Sequence, residues 1–212
     1  MLKRNPGLKL HKYFHHLNSS QAFAFNLFVP YFDRGSNAAQ ILLGALGQDA
    51  RLLEWSLESI PDTQEQTNID VTWKTDDGLT TLCEVKLSES ELGIAKSNRI
   101  RDRKLSEIYR PALLPHVAEE LLEPKAFFNA YQFLRNVWHL VQGEKSRLIF
   151  LVPQSNDKVW NRLQELVPFV SEVSRRRISI VSMEGLIQQL MRIETDLELR
   201  EHAANLHQKY AI

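Results

Sequence analysis

The sequence contains only one cysteine in 212 residues, Cys83. A single cysteine excludes an internal disulfide framework and is typical of a reducing compartment, so we expect a cytoplasmic protein. No stretch approaches the roughly 18 consecutive apolar residues that a membrane span needs. Residues 1–12 are basic but lack the apolar core of a signal peptide, so no membrane association is expected.

The sequence also lacks an excess of charge of either sign. Lysine plus arginine number 26 and aspartate plus glutamate number 26, which gives a formal net charge of zero. Proteins that coat nucleic acid without a defined site are usually basic. The overall charge therefore gives no support to that class, and a nucleic-acid function would have to depend on a local site.

Several common catalytic motifs are absent. The seven histidines occur without the HExxH or Cys–His spacings of zinc sites, and neither a GxGxxG sequence nor a P-loop is present. Cys83 alternates into the core of a predicted strand with no evident base nearby, so a thiol nucleophile is not expected. These absences argue against zinc enzymes, nucleotide-binding proteins and cysteine hydrolases.

The hydrophobic periodicity is that of an α/β protein. Strands are predicted at residues 53–58, 68–74, 79–87, 147–152 and 178–181. Helices are predicted from Asn18 or Ser19 to Pro30 and at residues 36–46, 119–141, 159–167 and 183–207, with 88–104 as a polar loop. We expect a single domain over residues 1–212, in which helices flank one mixed central sheet.

A predicted hairpin determines where Asp70 lies relative to Glu84. The turn Asp76–Gly78 suits a three-residue loop, because the last position of such a loop favours glycine. Pairing Thr75 with Leu79 and counting back then places Asp70 opposite Glu84. A two-residue loop would instead place the two carboxylates diagonally and on opposite faces.

Strand periodicity also brings Lys86 to the same face as Glu84, because side chains two residues apart point the same way. The three-residue loop is favoured for a second reason, since it groups four side chains on the core side. These are Ile69, Val71, Cys83 and Val85.

The opposed acids and the lysine indicate a metal-dependent site. Like charges directly opposite each other cost up to about 1 kcal/mol, which a divalent cation between them would remove. Carboxylate oxygens suit Mg²⁺ or Mn²⁺. Lys86 would hold a hydroxide or stabilise the charge that develops on phosphorus. We therefore predict that Asp70, Glu84 and Lys86 hydrolyse phosphodiester bonds.

The pattern of Asp70, thirteen intervening residues and then Glu84-Val85-Lys86 resembles the PD-(D/E)XK superfamily. It is most similar to a bacterial family of restriction endonucleases. Four segments carry the likeness, at residues 17–28, 67–70, 84–89 and 131–136, and together they cover about residues 15–155. The proline that usually precedes the aspartate is replaced by Ile69, and residues 156–212 form an unassigned C-terminal extension.

The resemblance implies a restriction-endonuclease-like αβββαβ core and an Mg²⁺-dependent endonuclease, with Mn²⁺ as a substitute. Its substrate would be DNA, with double-stranded DNA preferred, and cutting both strands would suggest a homodimer. Asp70, Glu84 and the Val85 carbonyl would bind the metal, and Lys86 would act on the attacking water. Two alternatives stay open: a non-cutting binding or assembly module with the same fold, and an RNA nuclease.

The resemblance also suggests supporting residues. A glutamate from the preceding elements often joins such sites, and Glu58 is preferred to Glu54. Gln132 is expected to line the cleft, whereas Arg135 either lines it too or pairs with a carboxylate. Two basic runs, residues 96–104 and 175–177, would contact DNA phosphates or simply face solvent.

Overall fold

A computed structural model describes residues 19–210 of the protein. The strands are β1 Leu52–Ser59, β2 Ile69–Thr75, β3 Thr80–Val85, β4 Ser146–Val152 and β5 Ile178–Ser182. The helices are α1 Ser20–Phe32, α2 Ser36–Ala45, α3 Arg99–Lys104, α4 Arg110–Leu113, α5 Pro124–Asn129, α6 Tyr131–Gln142, α7 Asp157–Leu166, α8 Glu172–Arg175, α9 Met183–Met191 and α10 Leu197–Tyr210. None of the helices within residues 19–210 is long and apolar enough to cross a membrane.

The five strands form one mixed sheet in the order β1-β2-β3-β4-β5. Strands β1, β2 and β3 are antiparallel neighbours, whereas β3, β4 and β5 run parallel. The predicted α/β class, with helices flanking a mixed sheet, is therefore confirmed. All five predicted strands are present, with their ends shifted by one or two residues.

Each face of the sheet carries its own apolar core. Helices α1, α2, α9 and α10 cover one face, and the helices between α3 and α7 cover the other. Val71, Cys83 and Val85 lie in the first core, as predicted. The prediction was wrong for Ile69, which packs in the second core. Ile69 is the first residue of β2, where the chain arrives from a loop, so strict alternation is least firmly imposed there.

Helix α1 does not end at Pro30, contrary to the prediction, but continues to Phe32. Proline lacks the N–H that would bond to the carbonyl of Asn26 one turn earlier. The Nε2 atom of His202 donates to that carbonyl at 2.8 Å and replaces the missing partner. At its start, Ser19 caps the helix by accepting from the Ala22 amide at 3.2 Å. The other predicted cap, Asn18, lies outside the described residues.

Three other predicted segments are divided differently. The prediction of one long helix at 119–141 was wrong. A 3₁₀ turn at Glu119–Leu122 precedes α5, and Ala130 leaves the helical conformation before α6. The closing helix at 183–207 is two helices, since Asp196 accepts from the Leu199 amide and begins α10 separately. The loop at 88–104 ends in α3, which Asn98 caps through its side chain. A π-helical turn, Leu105–Tyr109, joins α3 to α4.

Candidate active site

The turn between β2 and β3 is the predicted three-residue loop. Thr75 donates its amide hydrogen to the carbonyl of Leu79 at 3.0 Å. Gly78 has a φ of +83°, the positive value that the last loop position requires. The pairing of Val71 with Cys83 continues this register, and one further step brings Asp70 opposite Glu84. The turn chemistry thus sets the two acids face to face.

Asp70 is linked directly to the neighbouring strand. Its Oδ2 atom accepts a hydrogen bond from the Val85 amide at 2.7 Å. The pKa of the Asp70 carboxyl is raised well above its usual range, mainly by burial and then by the negative charge of Glu84. The charge of Lys86 and the Val85 amide oppose that rise without cancelling it. Added positive charge beside this acid would therefore be favourable.

Glu84 is almost fully buried, and three polar side chains surround its carboxylate. The Nζ atom of Lys86 lies 3.0 Å from Oε1. Gln132 also donates to Oε1, and Asn136 donates to Oε2 at 3.2 Å. Charge-assisted hydrogen bonds of this kind hold a carboxylate in one orientation.

Lys86 is held as a cation beside the two acids. Burial alone would lower the pKa of its ammonium group, but the charges of Glu84, Asp70 and Glu89 outweigh burial and raise it. The Lys86 amide also donates to the Leu151 carbonyl of β4 at 3.0 Å, which fixes the backbone at this point. A lysine whose pKa is raised suits charge stabilisation better than proton abstraction.

Glu58 joins the same region from β1. Its backbone has a φ of +51°, which is uncommon for a residue other than glycine. The carboxylate accepts hydrogen bonds from Gln21 at 3.0 Å and from Asn68 at 3.2 Å. The β1–β2 register places Glu58 across from Asp70, so the three adjacent strands carry an acidic row of Glu58, Asp70 and Glu84.

Glu54 lies away from this acidic row. Its Oε1 atom pairs with the Nζ of Lys74 at 2.7 Å, and both side chains are largely exposed. Glu54 and Lys74 are also cross-strand neighbours in the sheet. Of the two glutamates considered from the sequence, Glu58 is the one that contributes negative charge at Asp70.

The side chains around Asp70 and Glu84 determine which metal ion this region could hold. Within residues 19–210, no three His, Cys, Asp or Glu side chains converge closely enough to form a metal site by themselves. The residues expected from the sequence to bind metal, Asp70, Glu84 and Val85, would supply two carboxylates and one neutral carbonyl oxygen. Mg²⁺ is commonly held by only one or two carboxylates and keeps several waters. This donor set therefore fits Mg²⁺ and does not fit a zinc site.

Asn136 was not predicted, although the sequence carries a signal for it. It lies four residues after Gln132 on α6, and residues at that spacing share a helix face. Asn136 is fully buried, and its Oδ1 atom has no hydrogen-bond partner among the residues that the structure describes. Gly93 packs closely against Gln132, because a Cβ atom added at Gly93 would lie 2.6 Å from the Gln132 Oε1.

A second buried acid, Glu65, was also missed. It accepts from the Tyr109 hydroxyl and from Nε2 of His139 at 3.2 Å, and the Nε of Arg135 lies 3.6 Å away. Burial alone would raise the pKa of Glu65, but hydrogen bonds from His139, Thr67 and Tyr109 and the charge of Arg135 lower it to about 2. Arg135 therefore pairs with a carboxylate, one of its two predicted roles.

The basic run Arg175–Arg177 directly precedes β5, which lies two strands away from β3 and Glu84. Ile178 pairs with Leu148 near the start of β4, whereas Glu84 pairs with Phe150 toward its end. Arg177 donates to the carbonyls of Leu140, Gly143 and Ser146 and thus has a structural role.

The class of this protein follows from comparison with known families. The chain belongs to the family described as "Restriction Endonuclease associating with ARP", whose model matches residues 1–211. The restriction-endonuclease-like resemblance read from the sequence is therefore confirmed. No curated protein and no solved structure gave a significant match.

Proposed function

We propose that this protein is a metal-dependent endonuclease that hydrolyses phosphodiester bonds in double-stranded DNA. One observation carries the proposal: opposed acids at 70 and 84 lie beside Lys86, whose Nζ is 3.0 Å from Glu84. Membership of a restriction-endonuclease family supports a nuclease-related role. The order helix, three antiparallel strands, helix and parallel strand, seen in α2, β1, β2, β3, α6 and β4, supports a restriction-endonuclease-like αβββαβ core.

Asp70, Glu84 and the Val85 carbonyl would hold Mg²⁺, with Mn²⁺ as a substitute. When bound, the ion would polarise the scissile phosphate and lower the pKa of a water. The protein contributes the positions of its own groups. Gln132 and Asn136 keep the Glu84 carboxylate in one orientation. Glu58 adds negative charge next to Asp70, which favours cation binding there.

Lys86 would act on the phosphate rather than as a base. Its ammonium group is already charged, so it is suited to stabilising negative charge on the phosphoryl oxygens or to orienting the attacking water. This group pairs with Glu84 at 3.0 Å. Substrate binding would give it a phosphate oxygen as a further partner.

The proposal is tested by titrating Mn²⁺ into the wild-type protein and measuring cleavage of a DNA duplex in parallel. We expect Glu84→Gln to lose both metal binding and cleavage. Glu54→Gln is the matched control, because Glu54 pairs with Lys74 outside the acidic row. A wild-type protein that binds Mn²⁺ and cleaves RNA, but does not cleave DNA of the same sequence, would indicate an RNA nuclease.

A non-cutting assembly module is the second candidate, because the family description names association with ARP. A protein of that kind would not need a working metal site. Equal Mn²⁺ affinities for the wild type and Glu84→Gln, without cleavage, would favour this function over the nuclease. Sedimentation with and without DNA would show whether the protein forms the homodimer expected for cleavage of both strands.

A further inference from the structure

A basic groove borders the loop that joins β1 to β2. Its volume is about 650 Å³, and its lining includes Gln64 from that loop and Arg99, Arg103, Lys104 and Glu107 from α3 and the turn that follows. The groove lies outside the acidic row. None of the roles proposed above for the catalytic residues uses it.

The groove concentrates positive charge in a protein that is neutral overall. Residues 96–104 contain five basic side chains and one acidic side chain, Asp102. Asp102 is already engaged by the hydroxyl of Ser97 at 2.8 Å. Arg99 is exposed and forms no ion pair within residues 19–210, and Arg103 has only an exposed pair with Glu107. Exposed pairs contribute about 1 kcal/mol or less, so Arg103 can change partner readily.

Helix α3 is nevertheless held in a defined position. Lys104 donates to the backbone carbonyl of Glu65 at 2.6 Å. Arg101 donates to the Lys96 carbonyl at 2.9 Å, and its guanidinium lies 6.0 Å from the centre of the Tyr131 ring. The arginines of the groove are thus presented from an anchored helix rather than from a free loop.

The groove is close enough to the acidic row for one ligand to reach both. Gln64 lines the groove, and Asp70 follows six residues later, a distance of at most about 22 Å even for a fully extended chain. Tyr131, which contacts Arg101, directly precedes Gln132 at the Glu84 carboxylate. One turn of duplex DNA is about 34 Å long, so a single duplex spans the separation.

We propose that Arg99 and Arg103 bind the phosphate backbone of the DNA duplex whose scissile bond lies at the acidic row. This inference rests on the proposed nuclease function and assigns that function a binding surface. One guanidinium group can donate two parallel hydrogen bonds to the oxygens of a phosphate. Arg99 and Arg103 lie four residues apart and therefore share a face of the helix, so both can reach the same DNA backbone. The contacts determine affinity and register and carry no sequence preference.

The test compares two pairs of substitutions that remove the same charge. The first double variant, Arg99→Ala/Arg103→Ala, removes both exposed arginines from the groove. Arg175→Ala with Arg176→Ala is the control, because both side chains are exposed, Arg176 pairs with Glu172 four residues away, and the segment lies at the opposite end of the parallel strands. Thermal unfolding checks that both variants fold.

Binding of a labelled 30-base-pair duplex is measured over a range of salt concentrations. Ca²⁺ is the metal ion in this measurement, so that binding is observed separately from cleavage. We expect the groove variant to bind at least tenfold more weakly, and its salt-dependence slope to fall by about 2 for two lost phosphate contacts. The control should stay within about twofold of the wild type. Equal weakening of both variants, or unchanged binding by the groove variant, would overturn the proposal.

Absence of DNA binding by the wild type would also overturn it and would point to an acidic protein as the occupant of the groove. Failure of the proposed nuclease function looks different. In that case the wild type would bind the duplex through the groove in Ca²⁺ yet cut nothing in Mg²⁺ or Mn²⁺. The binding and cleavage measurements therefore separate the two claims.

Discussion

Asp70 accepts a hydrogen bond from the backbone amide of Val85, with 2.7 Å between Oδ2 and the nitrogen. This bond ties the acid of β2 to the strand that carries Glu84 and Lys86. Val85 also carries the backbone carbonyl that we propose as a neutral metal ligand. The sheet thus holds the acid pair in position through its own backbone.

Replacing Asp70 with asparagine should stabilise the metal-free protein while it abolishes cleavage. The amide removes like-charge repulsion with Glu84, and a gain of 1 kcal/mol corresponds to roughly 2–4 °C in a protein of this size. The measurement is thermal unfolding with and without Mn²⁺. Mn²⁺ should raise the unfolding temperature of the wild type and leave that of Asp70→Asn unchanged. An equal rise in both proteins would show that Asp70 does not bind the metal.

Glu58 and Glu54 form a matched pair for testing the acidic row. Both lie on β1, but only Glu58 adds charge at Asp70, whereas Glu54 pairs with the exposed Lys74. We expect Glu58→Gln to reduce the rate of cleavage about tenfold or more and to weaken Mn²⁺ binding. Glu54→Gln should retain wild-type values. Identical behaviour of the two variants would show that Glu58 has no part in the site.

Gln132 should act as a positioning residue for Glu84. Losing a hydrogen bond to a charged group costs about 1.5–3 kcal/mol, which corresponds to roughly a 10- to 150-fold change. We expect Gln132→Ala to lower kcat by an amount in that range, with little change in the DNA KM. Gln142→Ala on the same helix is the control, because the Gln142 side chain donates to the Trp138 carbonyl of its own helix and not to Glu84 among residues 19–210. A change confined to KM would place Gln132 in substrate binding instead.

Glu65 should make the stability of the protein depend on acid pH. Its folded-state pKa of about 2 is below the ordinary value of 4.5, so its contribution is complete above about pH 4.5 and is lost as pH falls toward 2. Linkage gives this contribution a size on the order of 3 kcal/mol at neutral pH. In urea unfolding between pH 3 and 7, the free energy of unfolding of Glu65→Gln should depend less on pH than that of the wild type. The same pH dependence in both proteins would mean that Glu65 does not contribute to it.

The parts of the site that the sequence predicted are those determined by local rules. The turn at Asp76–Gly78 and the two-residue period of a strand are enough to bring Asp70 opposite Glu84 and Lys86 beside it. The family resemblance supplied Gln132, whose bond to Glu84 depends on how α6 packs. Local rules could not give that packing.

The features that were missed depend on partners distant in the sequence. Glu65 is bound by Tyr109 and His139, which lie 44 and 74 residues further along the chain. Helix α1 passes through Pro30 because His202 occupies the carbonyl that proline leaves unbonded. Such compensation cannot be read from a helix-ending signal alone, because the compensating group comes from another helix.

The most direct test of the proposed nuclease site is to compare the cleavage of supercoiled plasmid by Lys86→Ala with that by the control variant Lys74→Ala. Lys86 lies in the site with Glu84, whereas Lys74 pairs with Glu54 on the exposed surface. We predict that the wild type and Lys74→Ala nick or linearise the plasmid in Mg²⁺ or Mn²⁺ and that EDTA stops both. Lys86→Ala should be inactive although folded. Wild-type cutting by a folded Lys86→Ala protein would show that Lys86 has no part in catalysis.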